Sequence, residues 1–247
     1  MFDAQDFATH LSTREDRWSL LKDFIAEWHG PLERGDGYSA AEFDAAEQRL
    51  GLKLPLALRE CYSFAGKFLE TFSVDPYAFT PLNDLGFDED DPEMLWLFAE
   101  TQADIDWGTC HGDLTQDDPP VYVDGIKERG AMELSNTTYS EFVLQVVVYQ
   151  TVSFFGFCGN AAGKEDTAEI VKANFTPLAL PAWPYPVYPS QLYGRADVLV
   201  ELEGGGKDFC RLSVAARTET ALRDAVKLFD LGWDALTGGV PVPAASR

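Results

Sequence analysis

Between Lys67 and Lys127 the chain carries no lysine or arginine, yet 15 of those 59 residues are Asp or Glu. This stretch holds −15 of the formal net charge of −22 and peaks at Asp88-Glu89-Asp90-Asp91. Such a block repels itself, so a fold containing it must spread the acids over a surface or oppose them with cations. The acids are interleaved with Phe72, Tyr77, Phe79, Phe87, Leu95, Trp96, Leu97, Phe98, Ile105 and Trp107. That much apolar surface offsets the entropy of ordering, which a disordered acidic tail cannot do. The tract is therefore expected to be folded. It excludes direct nucleic-acid binding, which needs cations to neutralise phosphates. It favours a metal ion, a basic peptide or a basic protein surface; a merely solvated acidic face is the plain alternative.

At 247 residues, 46% of them hydrophobic, the chain is long enough for one large or two small domains. The longest apolar stretch, 142–157, is interrupted by Gln145, Gln150, Thr151, Ser153 and Gly156, and falls short of a membrane span. The start, Met1-Phe2-Asp3-Ala4-Gln5-Asp6, lacks the basic region and apolar core of a secretory signal. Cys61, Cys110, Cys158 and Cys210 form no CxxC pair and read as reduced thiols. The expected location is cytoplasmic, with no membrane association and a monomeric state.

Local signals predict five helices. Ser12 with Glu15 makes a capping box, followed by Trp18, Leu21, Phe24, Ile25 and Trp28 at helical spacing. Ser39 with Glu42 makes a second, and Gly51 stands at the left-handed C-terminal position. Leu54-Pro55 opens a third helix, expected to end at Gly66. Thr138 with Glu141 opens a fourth, through Val152, although Val146-Val147-Val148 favours a strand. The last is expected from Thr218 to Trp233. Strands are expected at 94–99, 120–124 and 131–134, and 197–203 should form a hairpin with 209–215 through Gly204-Gly205-Gly206. The segment 177–189, with five prolines, is a linker or a covering strap.

Catalytic patterns are weak. Gly159 to Glu165 superficially resembles a phosphate loop, but Cys158 and Glu165 occupy the positions of its first Gly and its Ser or Thr. His111 with Asp104, Asp106 and Asp113 could ligate a metal, yet the spacing fits neither an EF-hand nor a zinc helix. No catalytic residue, metal site or cofactor is assigned.

Several segments together resemble one family. Glu47, Leu50, Gly51, Leu54 and Pro55 match the opening of SMI1/KNR4 proteins of the SUKH superfamily, a helix with Glu, then Leu-Gly, a Leu-Pro step and a second helix. Leu97 to Gln102 is similar to the family's central strand, Trp107-Gly108 and Asp118 to Tyr122 to the strands that follow, and Thr138 to Phe142 to its closing helix. The match covers about residues 12–152. Two departures are Ala65-Gly66-Lys67 where members carry Asn-Gly, and the additional stretch after residue 152. The resemblance implies an α+β domain, helices packed on a twisted mixed β-sheet, over residues 1–152. A C-terminal extension, 153–237, is expected to add a β-hairpin and terminal helix packed on the same domain, and 238–247 is expected to be a disordered tail. It also implies an interaction protein without an active site: in bacteria an immunity protein that neutralises a toxin domain, in fungi a regulatory scaffold. The leading expectation is an acidic module that binds a basic, nuclease-type toxin domain, with a scaffold for another basic client as the alternative and a metal-dependent hydrolase as a remote one. The expected contact surface is Asp88, Glu89, Asp90, Asp91, Asp104, Asp106, Asp113, Asp117 and Asp118, with Trp107, Tyr77 or Phe87 as exposed apolar anchors.

Overall fold

The computed structural model describes residues 7, 11–73, 77–87, 93–100, 102, 105–124, 132–183, 188–204 and 209–237, the last three of these in backbone only. Among them the chain forms six α-helices and two antiparallel sheets, an α+β architecture. It divides into two compact units, one of Arg17–Ala26 and Gly30–Leu144, the other of Met1–Asp16, Glu27–His29 and Gln145–Arg247.

Helix α1 (Arg14–Trp28), whose residues 17–26 belong to the first unit, begins one residue later than expected. Thr13, rather than Ser12, caps it, its Oγ1 accepting the Asp16 N–H at 3.1 Å. Helix α2 (Ala40–Leu50) has the expected capping box between Ser39 and Glu42 and ends on Gly51 at φ 71°, a conformation that glycine adopts without a Cβ penalty. Helix α3 (Leu56–Phe72) continues a turn and a half beyond Gly66. Gly66 is not a stop signal: a Cβ there would lie 2.7 Å from the Tyr38 ring, so the glycine admits a buried tyrosine against the helix. Glu47 staples the corner between α2 and α3. Its carboxylate accepts the Leu54 N–H at 3.1 Å and Lys53 Nζ at 2.6 Å and pairs with Arg59. The glutamate of the sequence motif is therefore a structural strut, only 4% exposed.

The first sheet runs in the order β1 (Tyr77–Phe79), β2 (Met94–Glu100), β3 (Ile105–Cys110), β4 (Val121–Asp124), β5 (Glu133–Asn136). Every described pairing is antiparallel, so the parallel pairs of a mixed sheet do not occur among the described residues. Phe98 and Trp107 lie opposite each other with ring centroids 5.4 Å apart, and Phe98 packs on Phe142 of α4 (Tyr139–Phe154) at 5.9 Å. This is the inner face of the sheet. The apolar segment with three consecutive valines is a helix, its interior almost wholly buried.

The second unit carries a six-stranded sheet in the order β11 (Trp233–Thr237), β6 (Cys158–Ala162), β10 (Cys210–Ala216), β9 (Val198–Gly204), β8 (Ser190–Arg195), β7 (Thr176–Pro177). The expected hairpin is β9 with β10, paired from Cys210↔Gly204 to Ala216↔Val198. One face sets Tyr193, Val198, Val200, Leu202, Leu212 and Val214 against α5 (Thr167–Asn174), α6 (Glu219–Val226) and Phe229. The last helix stops at Val226; Trp233, expected at its end, instead opens β11 beside β6. The proline-rich segment acts as a covering strap where it is described. Trp183 is buried and stacks on Tyr149 at 5.8 Å, and Gln145 Nε2 donates to the Pro181 carbonyl at 2.6 Å.

Candidate functional site: the outer face of the first sheet

Strand register decides which side chains share a face. The row Trp96, Gly108, Tyr122, Leu134 crosses β2, β3, β4 and β5. Because Gly108 neighbours the inward-facing Trp107, this row lies on the outer face. A bulge between Trp96 and Phe98 lets these two residues point to opposite sides, although simple alternation would give them one side. Gly108 leaves room for Met94: a Cβ there would sit 2.7 Å from the Met94 Cγ and Sδ. The row is thus apolar across four strands, a span of about 14 Å at normal strand spacing. Trp96 and Tyr122 are half-buried, and Leu134 is 56% exposed. Met132, two residues before Leu134, is exposed as well.

The neighbouring row is Ala99, Asp106 and Asp124. It places two carboxylates directly opposite each other, which like charge disfavours; Asp106 is half-buried and Asp124 only 5% exposed, and neither is without a partner in the fold. Asp113, in the single 3₁₀ turn after β3, adds a third carboxylate, which accepts the Tyr122 hydroxyl at 3.2 Å and Gln116 Nε2 at 2.8 Å. Burial, then the hydrogen bond and charge of Asp113, raise the Tyr122 hydroxyl above the usual tyrosine range, so it remains a neutral donor.

The expected contact residues separate into six groups. Asp88, Glu89, Asp90, Asp91 and Asp104 lie outside the described residues. Asp106 and Asp113 belong to the outer face. Trp107 does not: it is 0% exposed and sits in the core between Phe98 and the rest of the inner face, so it cannot be an exposed anchor. Tyr77 and Phe87 are half-buried, Tyr77 stacked on Phe98 and Phe87 tilted against His111. Asp118 is a structural residue. Its Oδ1 accepts the Ser140 N–H at 2.9 Å at the start of α4, and its Oδ2 accepts the Ser140 hydroxyl at 2.5 Å and Arg17 Nη2 at 3.2 Å. A carboxylate at a helix N-terminus satisfies unpaired N–H groups there and opposes the helix dipole. Asp117 is exposed, and its carbonyl accepts the Ala57 N–H at 2.8 Å.

Trp96, Tyr122, Asp124 and Leu134 were not among the expected residues. The alternation Val121-Tyr122-Val123-Asp124 carries a signal for Tyr122 and Asp124; Trp96 is concealed by the bulge. Among the described residues no group of three or more His, Cys, Asp or Glu could hold a metal ion, and none of the helices is long and apolar enough to cross a membrane. Comparison with protein families, with curated proteins and with solved structures returned no match.

Proposed function

We propose that this chain is a non-catalytic, acidic protein-binding module of the immunity type, acting in the cytoplasm, that captures and neutralises a basic toxin domain of the nuclease kind. A nuclease must be basic to hold its substrate, and a partner with a net charge of −22 would attract it from a distance. Electrostatic steering of this kind raises association rates by about 10- to 1000-fold. The observation that carries the reading is the outer face of the first sheet, where half-buried Asp106 and Asp113 lie beside the row of Trp96, Tyr122 and Leu134. Acids alone would supply steering with little affinity; apolar groups beside them can supply the desolvated centre that a tight complex needs. The resemblance to SUKH proteins supports the same reading.

The test is capture of partners from the native source at ~50 mM and ~500 mM salt, since at the upper value exposed charges are screened beyond a few ångströms. One basic, toxin-like protein retained at both salts, whose activity falls on complex formation, is the expected result. A crowd of basic proteins lost together at the higher salt would replace this reading with a general scaffold for basic clients.

A further inference from the structure

In the second unit, we infer that the strap of residues 178–183 is a proton-linked cover. It closes one face of the second sheet while Glu201 holds a proton, and it loosens as Glu201 ionises. Register defines that face: opposite the apolar cluster lie Ser190 of β8, Glu201 and Glu203 of β9, and Arg211 and Ser213 of β10. Trp183 exchanges two backbone hydrogen bonds with Ser190, at 2.9 and 2.8 Å. Cross-strand partners share a face, so its ring extends the row Ser190–Glu203–Arg211. Stacking on Tyr149 sets the second half of α4 over the same face. Beneath this roof both Glu201 and Glu203 are buried.

Charge counting supplies the proton. Arg211 stands directly opposite Glu203, whereas the cross-strand neighbours of Glu201 are Leu192 and Ser213. Residues 145–154 of α4 and the strap itself bring no charged side chain. Among the described residues of this face the other titratable groups are Tyr149 and the Cys158 thiol. One cation thus serves two buried carboxyls, and a second buried carboxylate is costly. Burial is the largest cause holding the Glu201 carboxyl up at about 7, with the charge of Glu203 adding to it; the hydroxyls of Ser190 and Ser213 and the charge of Arg211 oppose. The strap is the part that yields. Between residues 178 and 183 it is tied to β8 by the Leu178 N–H and the Trp183–Ser190 pair, and by the side-chain amides of Gln145 and Gln191. Strands β8, β9 and β10 are instead held in continuous ladders, and the least-bonded element opens at the lowest free energy.

The experiment is hydrogen exchange of the full chain from about pH 5 to 8.5, corrected for the intrinsic pH dependence of exchange. The carboxyl titrates at 4.5 when exposed and at about 7 when covered. Opening sensed at the Leu178 and Trp183 amides should therefore rise about tenfold per pH unit up to about pH 6.5 and level off above about pH 7.5. Glu201→Gln, neutral at every pH, should abolish the rise. Glu203→Gln leaves Arg211 facing one carboxyl instead of two and should bring the plateau to lower pH. The ladder amides of 198–204 and 210–216, which do not open with the strap, should show no such rise between about pH 5 and 6.5. Opening of the wild-type strap that does not change with pH, a rise that survives Glu201→Gln, or an equal rise in the ladder amides overturns the inference. Should Glu201→Gln fail to fold, Glu203→Gln decides, and a plateau that stays where the wild type has it overturns the inference as well.

Discussion

Replacing Glu201 by glutamine isolates one of two opposed proton linkages in the second unit. Glu201 projects from β9 on the face opposite the apolar cluster and is 6% exposed. Burial, aided by the negative charge of Glu203, pushes its carboxyl up from 4.5 to about 7. The neutral acid therefore stabilises the fold fully below pH 4.5, and that contribution is lost as pH rises through about 7. A displacement of this size corresponds to about 3 kcal/mol. His29 runs the other way: burial lowers it from 6.5 to about 4. Its Nε2 lies 2.9 Å from Thr151 Oγ1, whose own proton goes to the Val147 carbonyl at 2.7 Å; the ring thus donates through Nε2 while neutral. The stability held by neutral His29 is present above pH 6.5 and disappears as pH falls through about 4, again about 3 kcal/mol. Between pH 4.5 and 6.5 unfolding releases one proton from Glu201 and takes one up at His29, so the two slopes cancel. Glu201→Gln should unmask the histidine, with stability rising by about 1.4 kcal/mol per pH unit across that window. His29→Gln should unmask the glutamate, with stability falling at the same rate. Urea denaturation followed by tryptophan fluorescence at half-unit steps from pH 4.5 to 6.5 measures both. Parallel pH profiles for the wild type and the two variants would refute the assignment.

Three substitutions test the first unit in the same assay at pH 7. Glu47→Ala leaves the Leu54 N–H and the Arg59 guanidinium without their buried acceptor and should cost about 3 kcal/mol. Gly66→Ala drives a Cβ into the Tyr38 ring and should destabilise by about 1–3 kcal/mol, despite alanine's better helix propensity. Trp107→Leu removes a fully buried ring and should cost about 2–4 kcal/mol.

The elements legible in the sequence were those set by neighbours in the chain. Ser39, Glu42 and Gly51 mark the ends of α2 because caps act over three or four residues. Elements set by distant residues were concealed. Gly66 resembles a terminator until Tyr38 arrives against it. Strand β6, Cys-Gly-Asn-Ala-Ala, has no β-branched or aromatic residue and is a strand because β10 and β11 flank it. Helical spacing continues through Phe229 and Trp233, but Trp233 is paired in a sheet. For the candidate site, composition pointed to the tract that carries Asp106 and Asp113, yet it placed Trp107 among the acids on the surface. Alternation puts Asp106 and Trp107 on opposite faces, and the core contact with Phe98 decides which faces inward. Asp118 looked like one more surface acid because its partners, Arg17 and Ser140, are 101 and 22 residues away.

The most direct test of the central claim is hydrogen exchange of the full chain, alone and with the basic protein it captures. Protection should appear in peptides covering 94–110 and 121–136, with 158–216 unchanged. Protection confined to 158–216, with the first sheet exchanging as in the free protein, would contradict it.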